Sequence, residues 1–204
     1  MSADRSAGSQ PARLDRSQSP GAVGPRGSVH DLEYRNELRG VLGRFATGIT
    51  VVTANSAIGP HGMTANSFTS VSLAPPLVLV CVMRDASMHQ AILDSDSFGV
   101  SMLSTRHESL ATYFANRGRP RDEHEFDLVD WVPGRHTGVP IVTQTLAWIE
   151  CGLSAVYDGG DHSIFLGSVL DVGRGDDDDA LLFFGGNYRR LESELASESG
   201  ADRR

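Results

Sequence analysis

The amino-acid sequence predicts a mainly β protein, an antiparallel barrel with helices added at its start, middle and end. Three observations predict it. Six or seven runs rich in β-branched and aromatic residues follow one another, most of them joined by short turn-forming segments. The helical patterns are few and stand outside the strand succession instead of alternating with it. No GxGxxG follows a strand and no βαβ rhythm appears, which sets aside a doubly wound nucleotide fold.

Taken in order, residues 1–32 are rich in Ser, Gly, Pro, Ala and Arg and hold almost no large apolar side chain. Such a segment cannot bury enough surface to offset its ordering entropy, so it reads as a disordered tail, as does 194–204. The folded domain is expected over 33–193. Leu38, Val41, Leu42 and Phe45 recur at helical spacing and predict an amphipathic helix over 33–46. Thr47–Ala54 follows as a strand, and Asn55–Pro60 as a polar turn.

The next stretch, Gly62-Met63-Thr64-Ala65-Asn66-Ser67-Phe68-Thr69-Ser70-Val71-Ser72, is an unusual strand. β-formers run through it, yet small hydroxyl and amide residues dominate, where a strand that only filled a core would carry Val, Ile and Leu. A slender polar strand leaves room beside its backbone for a bound molecule. An edge strand or a Ser/Thr-rich loop would look the same, and residue types alone leave both open.

Beyond Pro75-Pro76, the unbroken apolar run Leu77–Met83 predicts a strand buried on both faces. Ser87–Leu93 predicts a short helix with Ser87 as its cap. Phe98–Leu103 predicts a strand, and Arg106–Arg117 a helix with Leu110, Tyr113 and Phe114 on one stripe. Residues 118–138 read as a long functional loop, a lid or a dimer contact. Ile141–Asp158 is the longest strand signal and makes a hairpin with Ser163–Val172 through Asp158-Gly159-Gly160-Asp161. Asp176–Asp179 reads as a solvated acidic turn, Leu181–Phe184 as a last strand and Tyr188–Ala196 as a terminal helix.

Composition bounds the function. A formal net charge of −8 argues against a nucleic-acid partner. All 18 basic residues are Arg, so a phosphate-binding loop with its Lys and a lysine Schiff base are both excluded. Cys81 and Cys151 sit in apolar runs without a CxxC pairing, as expected of core thiols in a reducing cytoplasm. No apolar run reaches the ~18 residues a membrane helix needs, and the N-terminus is too polar for a signal peptide. The seven histidines show no HExxH and no paired spacing with Cys, so no metal site is expected. No GxSxG elbow marks a serine hydrolase. Two spots remain: Gly159-Gly160-Asp161-His162, which places an imidazole at a hairpin mouth, and Phe183-Phe184-Gly185-Gly186-Asn187-Tyr188. On composition each is as well explained by an ordinary turn as by a ligand contact.

Taken together and in register, Phe45–Thr53, Gly62–Ser72 with Pro75-Pro76-Leu77-Val78, Gly160-Asp161-His162 with Leu166-Gly167, and Gly186-Asn187-Tyr188 resemble the short-chain flavin reductases. These are the small components of two-component flavin-dependent monooxygenases, and the resemblance covers about residues 34–192. It implies a split β-barrel (Greek-key, antiparallel) with peripheral helices, usually a homodimer, in which NADH or NADPH reduces FAD or FMN for a separate oxygenase. It further implies that Met63, Thr64, Ala65, Asn66 and Ser67 lie along the isoalloxazine edge and that Ser70 and Cys81 meet the ribityl chain and ring. Ser87 would contact phosphate, Phe114 and Arg117 the phosphates or adenine, and His162 and Tyr188 the nicotinamide, with His162 a positioning group at the reacting centre. The absence of Lys points to NADH over NADPH. The competing reading is a non-catalytic flavin- or haem-binding split-barrel protein, and a third is an oxidase resembling those of pyridoxamine phosphate, which a Lys-free acidic chain suits poorly.

Overall fold

The computed structural model describes residues 29–176 and 179–191. Its centre is a seven-stranded antiparallel sheet with the order β3-β2-β6-β9-β10-β5-β4. The strands are β2 (Thr50–Ser56), β3 (Gly59–Ala65), β4 (Thr69–Leu73), β5 (Pro76–Met83), β6 (Ser97–Met102), β9 (Ala147–Gly159) and β10 (His162–Arg174). The two outer strands, β3 and β4, are adjacent in the chain and joined only by Asn66-Ser67-Phe68. A sheet whose opposite edges are linked by three residues has to roll up. β3 and β4 do not pair, so the roll stays open as a split barrel.

Shorter pieces complete the chain. β1 (Thr47–Gly48), β11 (Leu182–Phe184) and β12 (Asn187–Arg189) form a three-stranded sheet, and β7 (Trp131–Pro133) pairs with β8 (Pro140–Val142). The helices are α1 (Val29–Leu42), α2 (Ser87–Ser95) and α3 (Glu108–Ala115), the last preceded by a 3-10 turn over Thr105–His107.

β2 explains why two cores form. Both of its faces are buried, so Val52 and Ala54 enter one cluster and Val51 another. The first cluster packs Val78, Val80, Val82, Phe98, Val100 and Phe165 against Met88, Ala91 and Ile92 of α2. The second packs Ile49, Leu103 and Leu181 against Ala111 and Phe114 of α3, with Phe126 and Val142. Gly167 is required in the first, because a Cβ there would lie 2.5 Å from the Phe98 ring.

Several sequence expectations need correction. The helix expected over 33–46 spans Val29–Leu42, and the chain turns at Gly43, whose N–H reaches the Arg39 carbonyl at 2.8 Å. Its stripe does not enter a core: Leu38, Val41, Leu42 and Phe45 are all exposed. The strand expected as one piece over Gly62–Ser72 is two, because the Asn66–Phe68 crossover interrupts it. Leu77–Met83 is not buried on both faces. Val78, Val80 and Val82 point into the core, while Leu79, Cys81 and Met83 stay half-buried on the other face. The cap of α2 is Ala86, and Ser87 is its first helical residue. The helix expected over Arg106–Arg117 is the 3-10 turn and then α3, which ends at Ala115. Ile141–Asp158 breaks at Thr143–Leu146, with Gln144 at φ +57°, so that its first part pairs with β7.

The helix expected from Tyr188 starts instead as a strand. Gly185 and Gly186 take φ +59° and +81°, the two positive values of a tight two-residue hairpin turn, and Phe184 pairs with Asn187. Residues 192–196 of that expected helix lie outside the described residues, as do Asp177 and Asp178 of the acidic turn and most of both expected tails. The loop 118–138 holds β7, and it is pinned from below. The fully buried Glu150 accepts, at Oε1, the His136 N–H at 2.9 Å and the Thr137 hydroxyl at 2.7 Å.

Candidate functional site

The rolled sheet leaves a cleft where β3, the Asn66–Phe68 crossover, β5, the start of α2 and the β9–β10 turn meet. Met63, Thr64, Ala65, Asn66, Ser67, Cys81, Ser87, Phe114, Arg117 and His162 all line it. Ser70 and Tyr188 do not. Ser70 lies exposed on β4, and Tyr188 packs at 6.0 Å from the Phe183 ring beside the second core.

The wall is polar, but most of its hydroxyls are already engaged. Thr64 Oγ1 donates to the Ala111 carbonyl at 2.7 Å, tying β3 to α3. Ser67 Oγ donates to the Cys81 carbonyl at 2.8 Å and accepts the Cys81 N–H at 3.2 Å, tying the crossover to β5. The Asn66 side chain, by contrast, makes no hydrogen bond among the described residues. The small size of this wall therefore serves closure of the roll as well as access. Burial pushes the Cys81 thiol above its ordinary range, so it faces the cleft as a neutral, weakly polar group.

His162 stands where the sequence put it. Gly160, at φ +81°, opens a two-residue turn from β9 to β10, and His162 pairs with Gly159 and with Met83 of β5. Its Nδ1 lies 2.7 Å from Asp161 Oδ1. That hydrogen bond, outweighing a small opposing effect of burial, holds the Asp161 carboxyl below the usual range, with help from Arg35 of α1 at 3.7 Å. Arg84 fixes the same turn through the Gly160 carbonyl at 3.1 Å and Asp158 at 3.1 Å.

The cleft floor joins Ser87 to three residues outside the predicted site, His61, Glu125 and Arg119. His61 of β3 and Glu125 are buried, with His61 Nδ1 at 2.7 Å from Glu125 Oε2. Ser87 Oγ lies 2.8 Å from His61 Nε2. Arg119, also buried, binds Glu125 Oε1 at 2.9 Å, donates to the Phe114 and Asn116 carbonyls at 3.1 and 2.9 Å, and bonds the Gly62 carbonyl. Its donors are thus consumed inside the protein, which leaves Arg117 and Arg121 as the cationic arms at the rim. Phe114 is 1% exposed, with Arg119 5.3 Å above its ring and Phe126 beside it at 5.3 Å. It is a fixed wall and not an open stacking surface. The signal for this floor was the His61-Gly62 pair. Gly62 is obligatory because a Cβ there would lie 2.4 Å from Phe114, and the neighbouring His61 is held by Glu125 and Ser87.

Chemically, the cleft offers a slender backbone-lined wall, an unengaged Asn66 amide, a neutral thiol and the start of a nine-residue helix whose cap provides no side-chain bond. Unspent N–H groups at such a helix start favour an anion. These residues fit a flat heteroaromatic ring carrying an anionic tail, the description of a flavin nucleotide. A split barrel with such a cleft defines the flavin-handling class of this fold.

Comparison with known proteins makes the assignment specific. Residues 42–192 match the model of the flavin reductase like domain, and the chain belongs to that family. It is 46% identical over 169 residues to an NADH-dependent FAD reductase of Streptomyces globisporus, covering 83% of this chain and 92% of that protein. The reductase subunit HsaB of a flavin-dependent monooxygenase from Rhodococcus jostii is 36% identical, with 76% and 77% covered. Among solved structures, BorF, the flavin reductase component of a bacterial two-component tryptophan halogenase, is 51% identical. It superposes with a TM-score of 0.74 over 78% of this chain and 99% of its own.

Proposed function

We propose that this chain is an NADH-dependent flavin reductase that reduces FAD or FMN and supplies the reduced flavin to a separate monooxygenase. The observation that carries this reading is the convergence of Met63–Ser67, Cys81, Ser87 and His162, from four separated segments, on one cleft. A bound flavin supplies the hydride-accepting ring. The protein's own part is geometric: the crossover backbone and Asn66 hold the ring edge, α2 with Ser87 receives the phosphate, and His162, oriented by Asp161, positions the nicotinamide. Ser70 and Tyr188 lie outside the cleft of one chain, so any role for them is at its periphery. The choice of NADH over NADPH follows the relatives, an NADH-dependent FAD reductase and an NADH-dependent flavin reductase among them.

The same reading carries a homodimer. Tyr34, Leu38, Val41 and Leu42 leave α1 with an uncovered apolar stripe, and Phe45 beside it is 76% exposed. A surface of that kind calls for a partner, and a second copy supplies a matching one. Among the described residues no helix is long and apolar enough to cross a membrane, which suits a cytoplasmic enzyme. The test mixes purified chain with NADH and FAD or FMN and follows the nicotinamide absorbance. Oxidation well above the flavin-only control is expected, and its absence would overturn the reading. Light scattering during size exclusion is expected to give the mass of a dimer.

A further inference from the structure

The line Ser87–His61–Glu125 on the cleft floor has the connectivity of a serine–histidine–carboxylate relay. Its surroundings give it another use. Ser87 is the first residue of α2, beside helix N–H groups that the cap leaves without a side-chain partner. The hydroxyl is therefore set where an anion would sit.

We propose that His61 is a positioning residue whose proton decides the direction of the Ser87 hydroxyl, so that a flavin's phosphate is taken up together with a proton at His61 Nε2. This rests on the flavin reading and names how its anionic end is bound.

Glu125 Oε1 is held by Arg119 at 2.9 Å and by the Gly62 N–H at 3.2 Å, and its Oε2 faces His61. The hydrogen bonds from His61 and Arg119 outweigh burial and keep this carboxyl ionised below the usual range. An ionised carboxylate only accepts, so Nδ1 must carry the hydrogen, and Nε2 alone is free to change. No other side chain among the described residues hydrogen-bonds Ser87 Oγ.

When Nε2 is bare it accepts the Ser87 O–H, and the serine turns lone pairs toward the cleft. When Nε2 takes a proton from solvent it donates to Oγ, and the serine hydrogen turns outward. A phosphate diester offers only acceptors, so it fits the second arrangement and also gains the imidazolium charge. The other charged or titratable groups around this floor do not replace the switch. Arg119 is saturated, Tyr113 bonds the Glu125 carbonyl, Arg117 pairs with Asp85 at 3.8 Å at the rim, His89 turns to Ser163, and Arg121 and His162 line the cleft further out.

The linkage has a definite sign. Because phosphate and proton are taken up together, affinity for the phosphate is greatest on the acid side and falls as pH rises. The experiment titrates FAD and riboflavin separately between about pH 6 and 9 by flavin fluorescence. FAD's pyrophosphate keeps its charge over that range, and riboflavin has no phosphate. The Kd for FAD is expected to rise with pH by up to about tenfold per unit, while that for riboflavin stays flat. Calorimetry in buffers of different ionisation enthalpy should show up to one proton taken up with FAD. His61→Gln and, independently, Ser87→Ala should flatten the FAD profile and leave riboflavin unchanged. Equal pH slopes for FAD and riboflavin, or an FAD slope that survives in both variants, would overturn the role of His61. Failure of either flavin to bind at any pH would instead overturn the flavin reading itself.

Discussion

Ser67 Oγ bridges the backbone of Cys81 from both sides, donating to its carbonyl at 2.8 Å and accepting its N–H at 3.2 Å. This one hydroxyl joins the crossover between the two sheet edges to β5, and so fixes the width of the cleft at its polar wall. Ser67→Ala would leave a half-buried N–H and carbonyl without that partner. The expected cost is about 1–2 kcal/mol of stability, with a larger fractional loss in flavin affinity than in global stability. Urea unfolding and flavin titration on the same variant check it.

Gly62 faces Phe114 so closely that a methyl group would meet the ring at 2.4 Å. The ring is 1% exposed and held by Phe126 and Arg119, so it has nowhere to retreat. Gly62→Ala is expected to destabilise the chain by about 1–3 kcal/mol and to displace His61. A drop in the urea midpoint with an unchanged slope would report the first effect.

The carboxyl of Glu125 is pushed up by burial but held lower still by His61 and Arg119, so its folded value lies below the ordinary one. A group depressed in this way contributes stability above its unfolded value of about 4.3 and loses it as pH falls through the folded value. Tm measured from pH 7 downward is expected to decline below about pH 5. Glu125→Gln should lower Tm at neutral pH and reduce that acid-side slope, because it leaves the buried Arg119 without its counter-charge. Removing one partner of such a pair costs about 3–5 kcal/mol.

Burial, reinforced by the neighbouring Glu150, pushes the Cys151 thiol up to about 12, and burial alone raises Cys81. Neither forms a thiolate near neutrality. Native protein is expected to react negligibly with a chromogenic disulfide at pH 8, and unfolded protein to release two equivalents, one for each free cysteine.

His162 follows the β9–β10 turn and lines the cleft. His162→Ala is expected to raise the KM for NADH or lower kcat several-fold while flavin affinity changes little. Unchanged steady-state kinetics would remove His162 from the nicotinamide site.

Local chemistry made much of this legible from the residues in order. The Gly160-Asp161 turn and the long β9–β10 hairpin follow from turn residues and apolar spacing, which act within a few positions along the chain. The slender polar stretch at Met63–Ser67 was equally visible, as were the residues flanking it. Missed were features that depend on distant partners. Tyr188 reads as a helix start, yet paired glycines with positive φ fold it back on Phe183. His61 and Glu125, 64 positions apart, carry no spacing signal at all.

By itself the sequence determined a mainly β chain, a lysine-free acidic surface, the position of His162 and the set of small residues beside a cleft. Each of these depends on a residue's own size, charge or backbone freedom. Tertiary structure decided that the polar stretch is two edge strands of one rolled sheet, because three residues between opposite edges leave no other path. It also decided that Thr64 and Ser67 spend their hydroxyls on closing the roll and that Arg119 is saturated inside the floor. A donor's availability depends on what the fold brings within about 3 Å of it, and only the folded chain sets that distance.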